Sequence, residues 1–268
     1  APDILAANAL DMEEANGRIS PVMLDRLKLT EDRIQAMAKG IREVVDLPDP
    51  VGRILEEHTR PDGLKIQKVS VPMGVIAIIY ESRPNVTSDA AALALKSGNV
   101  CVLRSGRDAI RSAGAIVEAM QAGLRNVGLP ESAVLLVKDT SHDGAKQLMT
   151  ANGYIDLLIP RGGAGLIRSV VENSTIPVIE TGTGNCHVYV DKDADVDMAV
   201  KILMNAKTQR IGVCNACESL VVHRAVRDKF LPKMAEALKT KNVELRGDES
   251  TREILPDCIP ATEEDYGT

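Results

Sequence analysis

The sequence predicts an α/β fold: a doubly wound parallel sheet, Rossmann-like in its βα alternation, with a partial second α/β domain and a projecting β-hairpin. Three observations carry this expectation. Apolar runs such as Val75-Ile76-Ala77-Ile78-Ile79-Tyr80 are continuous, as strands buried on both faces are. From residue 71 these runs alternate with segments of helical period, the pattern of a layered α/β sheet. A polar two-strand pattern around Arg60-Pro61-Asp62-Gly63 stands outside that alternation.

Residues 1–46 read as helices broken near Gly17 to Ser20, with Leu24, Leu27, Leu29, Ile34, Met37, Ile41 and Val45 as the apolar stripe. Pro48 and Pro50 then end helical structure, and residues 47–71 read as a projecting hairpin, either one that pairs with another subunit or an ordinary surface hairpin. The first parallel strand ends at Tyr80, with a helix expected over Ser88 to Lys96. Asn99 to Arg104 is the next strand, followed by a long helix with Ile110, Ala113, Ile116, Val117, Met120 and Leu124 on one face. Gly128-Leu129-Pro130 stops it. Ala133 to Val137 is a third strand and Asp143 to Met149 a helix. Ile155 to Ile159 is a fourth, with a helix over Ala164 to Glu172. Short strands are expected at Val178-Ile179 and Val188-Tyr189-Val190.

Composition bounds the function. Charged residues make up 26% and the net charge is −6, which argues against a general nucleic-acid binder. Aromatics are only 2%, so stacking platforms for single strands are scarce and the core must be aliphatic. The five cysteines are odd in number and no leader pattern opens the chain, so a reducing cytoplasm is expected rather than a disulfide scaffold. No apolar run approaches the roughly 20 residues of a membrane helix. The chain opens inside an apparent helix and stops without a closing element, so a piece of a longer protein is expected.

Chemistry is concentrated in Asn205-Ala206-Lys207-Thr208-Gln209-Arg210-Ile211-Gly212-Val213-Cys214. This loop joins a helix bearing Val196, Ala199, Ile202, Leu203 and Ala206 to the apolar strand Ser219-Leu220-Val221-Val222-His223. A thiolate is the strongest side-chain nucleophile near neutral pH, and Lys207 and Arg210 would favour the charged form. Ligands of open α/β sheets bind beyond the carboxyl ends of the strands. The loops there are Glu81-Ser82-Arg83-Pro84-Asn85-Val86-Thr87, Ser105-Gly106-Arg107-Asp108 and Pro160-Arg161-Gly162-Gly163-Ala164-Gly165. The last is Gly-rich and opens a helix, so its N–H groups can face a phosphate, although it is not a GxGxxG motif.

These segments, together with Val71-Pro72-Met73-Gly74-Val75-Ile76 and Cys186-His187-Val188-Tyr189-Val190-Asp191, keep an order and spacing that resembles the aldehyde dehydrogenase superfamily, and within it the γ-glutamyl phosphate reductases, glutamate-5-semialdehyde dehydrogenases of proline synthesis. The resemblance implies an aldehyde dehydrogenase-type fold with a cofactor domain (helices 1–46, NADP-binding 72–188), an oligomerisation hairpin (47–71) and an incomplete catalytic domain (189–268). It implies Cys214 as nucleophile and Asn85, with the Cys214 backbone N–H, as oxyanion donor. Arg104, Ser105, Arg107, Gly162 and Gly163 would hold the cofactor. Arg107 stands where NAD-preferring relatives place a glutamate, so NADP(H) is implied. Arg210, Lys207 and Arg83 would meet the anionic groups of glutamyl phosphate. The longer protein would be a homo-oligomer, with possible functional coupling to glutamate 5-kinase. Glu180 aligns with the water-activating glutamate of hydrolytic relatives, a role that a phosphate-releasing reductase does not need.

Three alternatives stand beside this reading. One is a catalytically incomplete NADP-binding fragment, and another is a different NAD(P)-dependent aldehyde dehydrogenase. The third takes Cys214-Asn215-Ala216-Cys217 as a dithiol or zinc motif. No metal is expected, because Cys101, Cys186 and Cys258 are isolated in sequence and no second ligand pair lies near. His58, His142 and His223 show no partner pattern, and surface or structural roles are expected for them.

Overall fold

A computed structural model describes residues 1–182 and 184–266 and divides the chain into two compact units, 1–181 and 182–268. In the first unit, four parallel strands form one sheet: β3 (Val75–Tyr80), β4 (Val100–Ser105), β5 (Val134–Leu136) and β6 (Leu157–Arg161). Their order is β5-β4-β3-β6, so the strand order reverses beside β3. The antiparallel pair β1 (Ile54–Thr59) and β2 (Lys65–Val69) is the expected hairpin. All its residues are exposed, with Lys65–Glu57 and Lys68–Glu56 ion pairs across it.

Alternation along β3 explains its unbroken hydrophobicity. Ile76, Ile78 and Tyr80 face a core with Ala91 and Ala94 of α4 (Pro84–Lys96) and Val117 and Leu124 of α5 (Ile110–Asn126). Ala77 and Ile79 face the opposite core, with Ala145 and Met149 of α6 (His142–Met149) and Val170 of α7 (Ala164–Asn173). A strand sandwiched this way has no face to give to water. A third layer comes from α1 (Pro2–Ala15), α2 (Pro21–Leu27) and α3 (Glu31–Asp46). Asn8 fixes it: its buried side chain donates to the Leu27 carbonyl and Ser112 Oγ and accepts from the Leu29 N–H.

The entry to β3 is held from both sides. Asn99 Oδ1 accepts from the Met73 and Gly74 N–H groups at 2.6 and 2.9 Å, and Asp156 Oδ2 accepts from the Val75 N–H at 2.8 Å. Asn99 immediately precedes β4 and Asp156 immediately precedes β6, so the two side chains tie the starts of three adjacent strands together. Gly74 has φ +115°, and a Cβ there would fall 2.1 Å from Asp156 Oδ2, so only glycine permits this approach.

The second unit is a βαβ unit with additions. Strand β7 (Cys186–Val190) pairs in parallel with β8 (Cys217–Val222), joined by α8 (Val196–Thr208). The chain's one phenylalanine, Phe230 of α9 (Arg227–Lys239), is fully buried among Val190, Leu203, Val226 and Met234. Two short parallel strands, β9 (Arg246–Gly247) and β10 (Ile259–Pro260), flank α10 (Glu249–Arg252).

The structure departs from the sequence expectations in several places. Helix α4 begins at Pro84 rather than Ser88, because proline suits the first helical turn, where its missing N–H costs nothing. Val178-Ile179 makes only an isolated parallel bridge to Leu158. The unit boundary falls before 188 because the strand containing Val188 pairs with β8. Among the described residues, no helix is long and apolar enough to cross a membrane.

Burial pushes the Cys101 thiol from its usual 9.0 up to about 12 and the Tyr80 phenol from 10.0 up to about 12. An unfolded chain therefore releases these protons first, and stability must fall as pH rises from about 9 to 12, by up to about 1.4 kcal/mol per pH unit for each group. Urea-unfolding midpoints over that range should drop, and Cys101→Val should flatten the part of the slope that begins near pH 9.

Candidate active site

The carboxyl ends of β3, β4 and β6 lie in register, with Tyr80 beside both Ser105 and Arg161. Their loops are stitched together by backbone bonds. Gly106 N–H donates to the Tyr80 carbonyl at 2.8 Å, and Glu81 N–H donates to the Arg161 carbonyl at 3.2 Å. Tyr80 Oη and Thr87 Oγ1 share a buried bond of 2.7 Å that anchors α4 to the end of β3. Asn85 therefore sits in the first turn of a helix rather than in a loop. It is exposed, and its Nδ2 donates to Asp89 Oδ2 at 3.0 Å. Arg83 is the half-buried N-cap residue of the same helix.

Two of the five cofactor residues suggested by the resemblance turn inward. Arg104 is 9% exposed, and its Nη2 donates to the Thr140 and Ser141 carbonyls at 2.7 and 2.9 Å. Its side chain thus braces the segment that caps α6 instead of reaching towards a ribose. Desolvation lowers its pKa, opposed by the charge of Asp139. Ser105 is fully buried, donates to the Gly106 carbonyl and hydrogen-bonds the Tyr80 phenol. The two placements share one cause: a side chain at the end of a central strand meets orphaned polar groups of the neighbouring loops before it meets solvent.

The other three residues face outward. Arg107 is exposed and lies 3.4 Å from Glu14, on which Arg18 and Arg111 also converge. The Arg111 hydrogen bond is the main cause that holds Glu14 below the usual carboxylate range. Gly162 and Gly163 are exposed and open α7, with Gly163 as its N-cap. Glu81 Oε2 accepts from the Gly163 N–H at 2.8 Å, so a carboxylate already sits where an anion would meet this helix. A Cβ on Gly162 would lie 2.7 Å from that carboxylate oxygen and equally close to Leu166 Cδ2. The approach is one that glycine makes possible, and sequence reasoning did not anticipate Glu81 as its partner.

In the second unit, Lys207 lies in the last turn of α8 and Arg210 just beyond it, exposed. Cys214 is exposed on the turn closed by the Ala216 N–H to the Val213 carbonyl, and Cys217 opens β8. Cys217 is buried; desolvation raises its pKa, opposed first by the charge of Lys207. The two cysteines of the CxxC therefore differ in kind, one presented to solvent and one in the core. Glu180 is exposed at the end of the first unit. His58 is exposed on the hairpin, His142 opens α6, and His223 Nδ1 accepts from the Ala225 N–H.

Comparison with known proteins places these features in a family. The family model described as the aldehyde dehydrogenase family matches residues 23–253. The γ-glutamyl phosphate reductase of Streptococcus suis is 60% identical over 265 residues, covering 99% of this chain and 64% of that protein. That of Carboxydothermus hydrogenoformans is 57% identical over 266 residues, with the same coverage. The crystal structure of γ-glutamyl phosphate reductase from Thermotoga maritima superposes with a TM-score of 0.91 at 48% identity, over all of this chain and 65% of that one. The chain thus spans a little under two thirds of the length of these relatives. With a matching model over most of its length and the same parallel sheet, the chain belongs to the aldehyde dehydrogenase family.

Proposed function

We propose that this chain is part of an NADPH-dependent γ-glutamyl phosphate reductase, which converts L-glutamyl 5-phosphate to L-glutamate 5-semialdehyde and phosphate in proline biosynthesis. The observation that carries the reading is the 60% identity to a reductase of that name across 99% of this chain, with Cys214 exposed on the turn before β8.

In this reading the Cys214 thiolate attacks the γ-carbonyl carbon of the acyl phosphate. Negative charge builds on the carbonyl oxygen, and the Cys214 backbone N–H and the Asn85 amide are its donors. Removing one such donor typically costs about 3 kcal/mol of transition-state stabilisation. Phosphate leaves, and the acyl group stays on Cys214 as a thioester. When bound, NADPH supplies hydride to the thioester carbonyl, and the Cys214 sulfur departs as the semialdehyde forms. Lys207 and Arg210 lie on the connection that carries Cys214, and they, with Arg83, are the cations assigned to the substrate's phosphate and carboxylate.

The first unit's residues suit a phosphorylated cofactor. The Gly163 N–H already donates to a carboxylate, which is the bonding an anionic pyrophosphate oxygen asks for. Arg107 is an exposed cation where a 2′-phosphate would be preferred to a 2′-hydroxyl. Arg104 and Ser105 shape this rim from inside rather than touching the cofactor. The hairpin, exposed on both faces and carrying Ile54, Leu55, Leu64 and Ile66 in solvent, suits pairing with another copy of the longer protein.

The test is the reverse reaction: NADP reduction by glutamate semialdehyde, with and without inorganic phosphate, for this chain and its Cys214→Ser variant. The reading predicts NADPH formation that requires phosphate, is faster with NADP than with NAD, and disappears in the variant. Turnover that is indifferent to phosphate would point to another aldehyde dehydrogenase. NADP binding without turnover would mark the chain as the cofactor-binding part of an incomplete enzyme.

Arg107→Glu provides a second check. It replaces the cation with a carboxylate facing the 2′ position, so NADP affinity should fall by roughly tenfold or more while NAD affinity is retained. Isothermal titration of both cofactors reads this even if turnover is absent, and equal losses for both would argue against a 2′-phosphate role.

A further inference from the structure

Three of the five cysteines gather at the start of the second unit's sheet. Cys186 begins β7 and Cys217 begins β8, and the two are register partners. Cys214 lies on the turn just before β8. The half-buried Cys186 thiol donates to the carbonyl oxygen of Cys214 at 3.3 Å.

The backbones are equally close. A Cβ on Gly184 would lie 2.6 Å from the Cys214 carbonyl oxygen and 3.3 Å from the Cys214 Cβ. Glycine at 184 is what lets the two segments approach this closely. The intervening Asn185 donates instead to the Tyr266 carbonyl.

We propose that Cys186 is the resolving thiol for Cys214, so that a peroxide converts the exposed Cys214 into a reversible Cys186–Cys214 disulfide instead of an over-oxidised acid. In the first step the Cys214 sulfur attacks one oxygen of the peroxide. The O–O bond breaks, the second oxygen leaves as water or an alcohol, and Cys214 becomes a sulfenic acid. In the second step the Cys186 sulfur attacks the Cys214 sulfur. The S–S bond forms, the S–O bond breaks, and the hydroxyl leaves as water with the Cys186 proton. The two sulfurs together lose two electrons and the peroxide gains them; a dithiol reductant reverses the change.

Geometry favours this pair over its rivals. The carbonyl and the side chain of Cys214 hang from the same Cα, so a sulfur touching the one is a rotamer change from the other. Cys214 lies on a turn rather than in a strand, where local adjustment breaks no ladder bonds. Cys217 is 4% exposed, is fixed in β8, and donates to the Ser219 carbonyl. Cys101 and Cys258 are buried.

The experiment treats the 268-residue chain with hydrogen peroxide, blocks free thiols with N-ethylmaleimide and maps peptides by tandem mass spectrometry. The proposal predicts a cross-linked Cys186–Cys214 peptide pair about 2 Da lighter than the two thiol peptides together, restored by dithiothreitol. Cys217→Ser should retain this link. In Cys186→Ser and Cys186→Ala, Cys214 should instead accumulate a sulfinic acid about 32 Da heavier, which dithiothreitol does not reverse. A link that joins Cys217 to either neighbour overturns the proposal. So does irreversible oxidation of Cys214 at the same rate in the wild-type chain and both Cys186 variants. The linkage in the wild-type chain is read by mass alone, so it stands or falls separately from the reductase reading.

Discussion

The first unit depends on how the central strand is started. The N–H groups of Met73, Gly74 and Val75 would be orphans at the head of β3, and Asn99 and Asp156 accept all three. Those two residues immediately precede the neighbouring strands β4 and β6, so each hydrogen bond also sets a register. In a sheet, a slip of one residue sends every side chain to the wrong face. Here it would put Ile76, Ile78 and Tyr80 against α6 and α7, and Ala77 and Ile79 against α4 and α5. The cost of the clamp is a glycine with φ +115° at 74. What it delivers lies at the other end of the strands, where Tyr80, Ser105 and Arg161 end side by side and their loops form one rim.

Most of that rim's polar groups are paired within the protein, with the buried Arg104 Nε an exception, and this shapes how it can work. Glu81 caps Gly163, Arg104 braces the carbonyls before α6, and Glu14 gathers three arginines including Arg107. Under the proposed reading, a cofactor phosphate would compete with carboxylates already in place. Such exchange would keep the N–H groups and cations oriented before binding, at the cost of some affinity. The second unit follows a simpler plan. Its βαβ unit places Cys214 on a turn between a cationic helix end and a buried strand start, so one cysteine of the CxxC is presented to solvent and the other is committed to the core.

The sheet was legible in the sequence because its strands are unbroken apolar runs, and the hairpin because its turn residues sit between polar strands. Both are local signals. The start of α4 was legible in principle, since Pro84 marks a first helical turn, but the polar Asn85, Thr87 and Ser88 masked it. The inward turn of Arg104 was not legible, because its partners Thr140 and Ser141 lie 36 and 37 residues away. Nor was the Glu81 cap on Gly163, which spans 82 residues. Cys214 stood out through its neighbours, but its contact with Cys186 joins a turn to a strand start that only the pairing of β7 with β8 brings together. In each case the sequence displays the chemistry available at a position, and tertiary pairing decides which of it remains free.

The central claim is that Cys214 is an acyl-accepting nucleophile. Its most direct test is trapping by a simple acyl phosphate, without cofactor. Incubation of the chain with acetyl phosphate, followed by intact-mass and peptide analysis, should give one hydroxylamine-labile acetyl adduct of about 42 Da on Cys214, absent from Cys214→Ser, as expected of covalent catalysis through a thiolate. Acetylation confined to lysines, or the same adduct on Cys217 or Cys186 in preference to Cys214, would contradict the account.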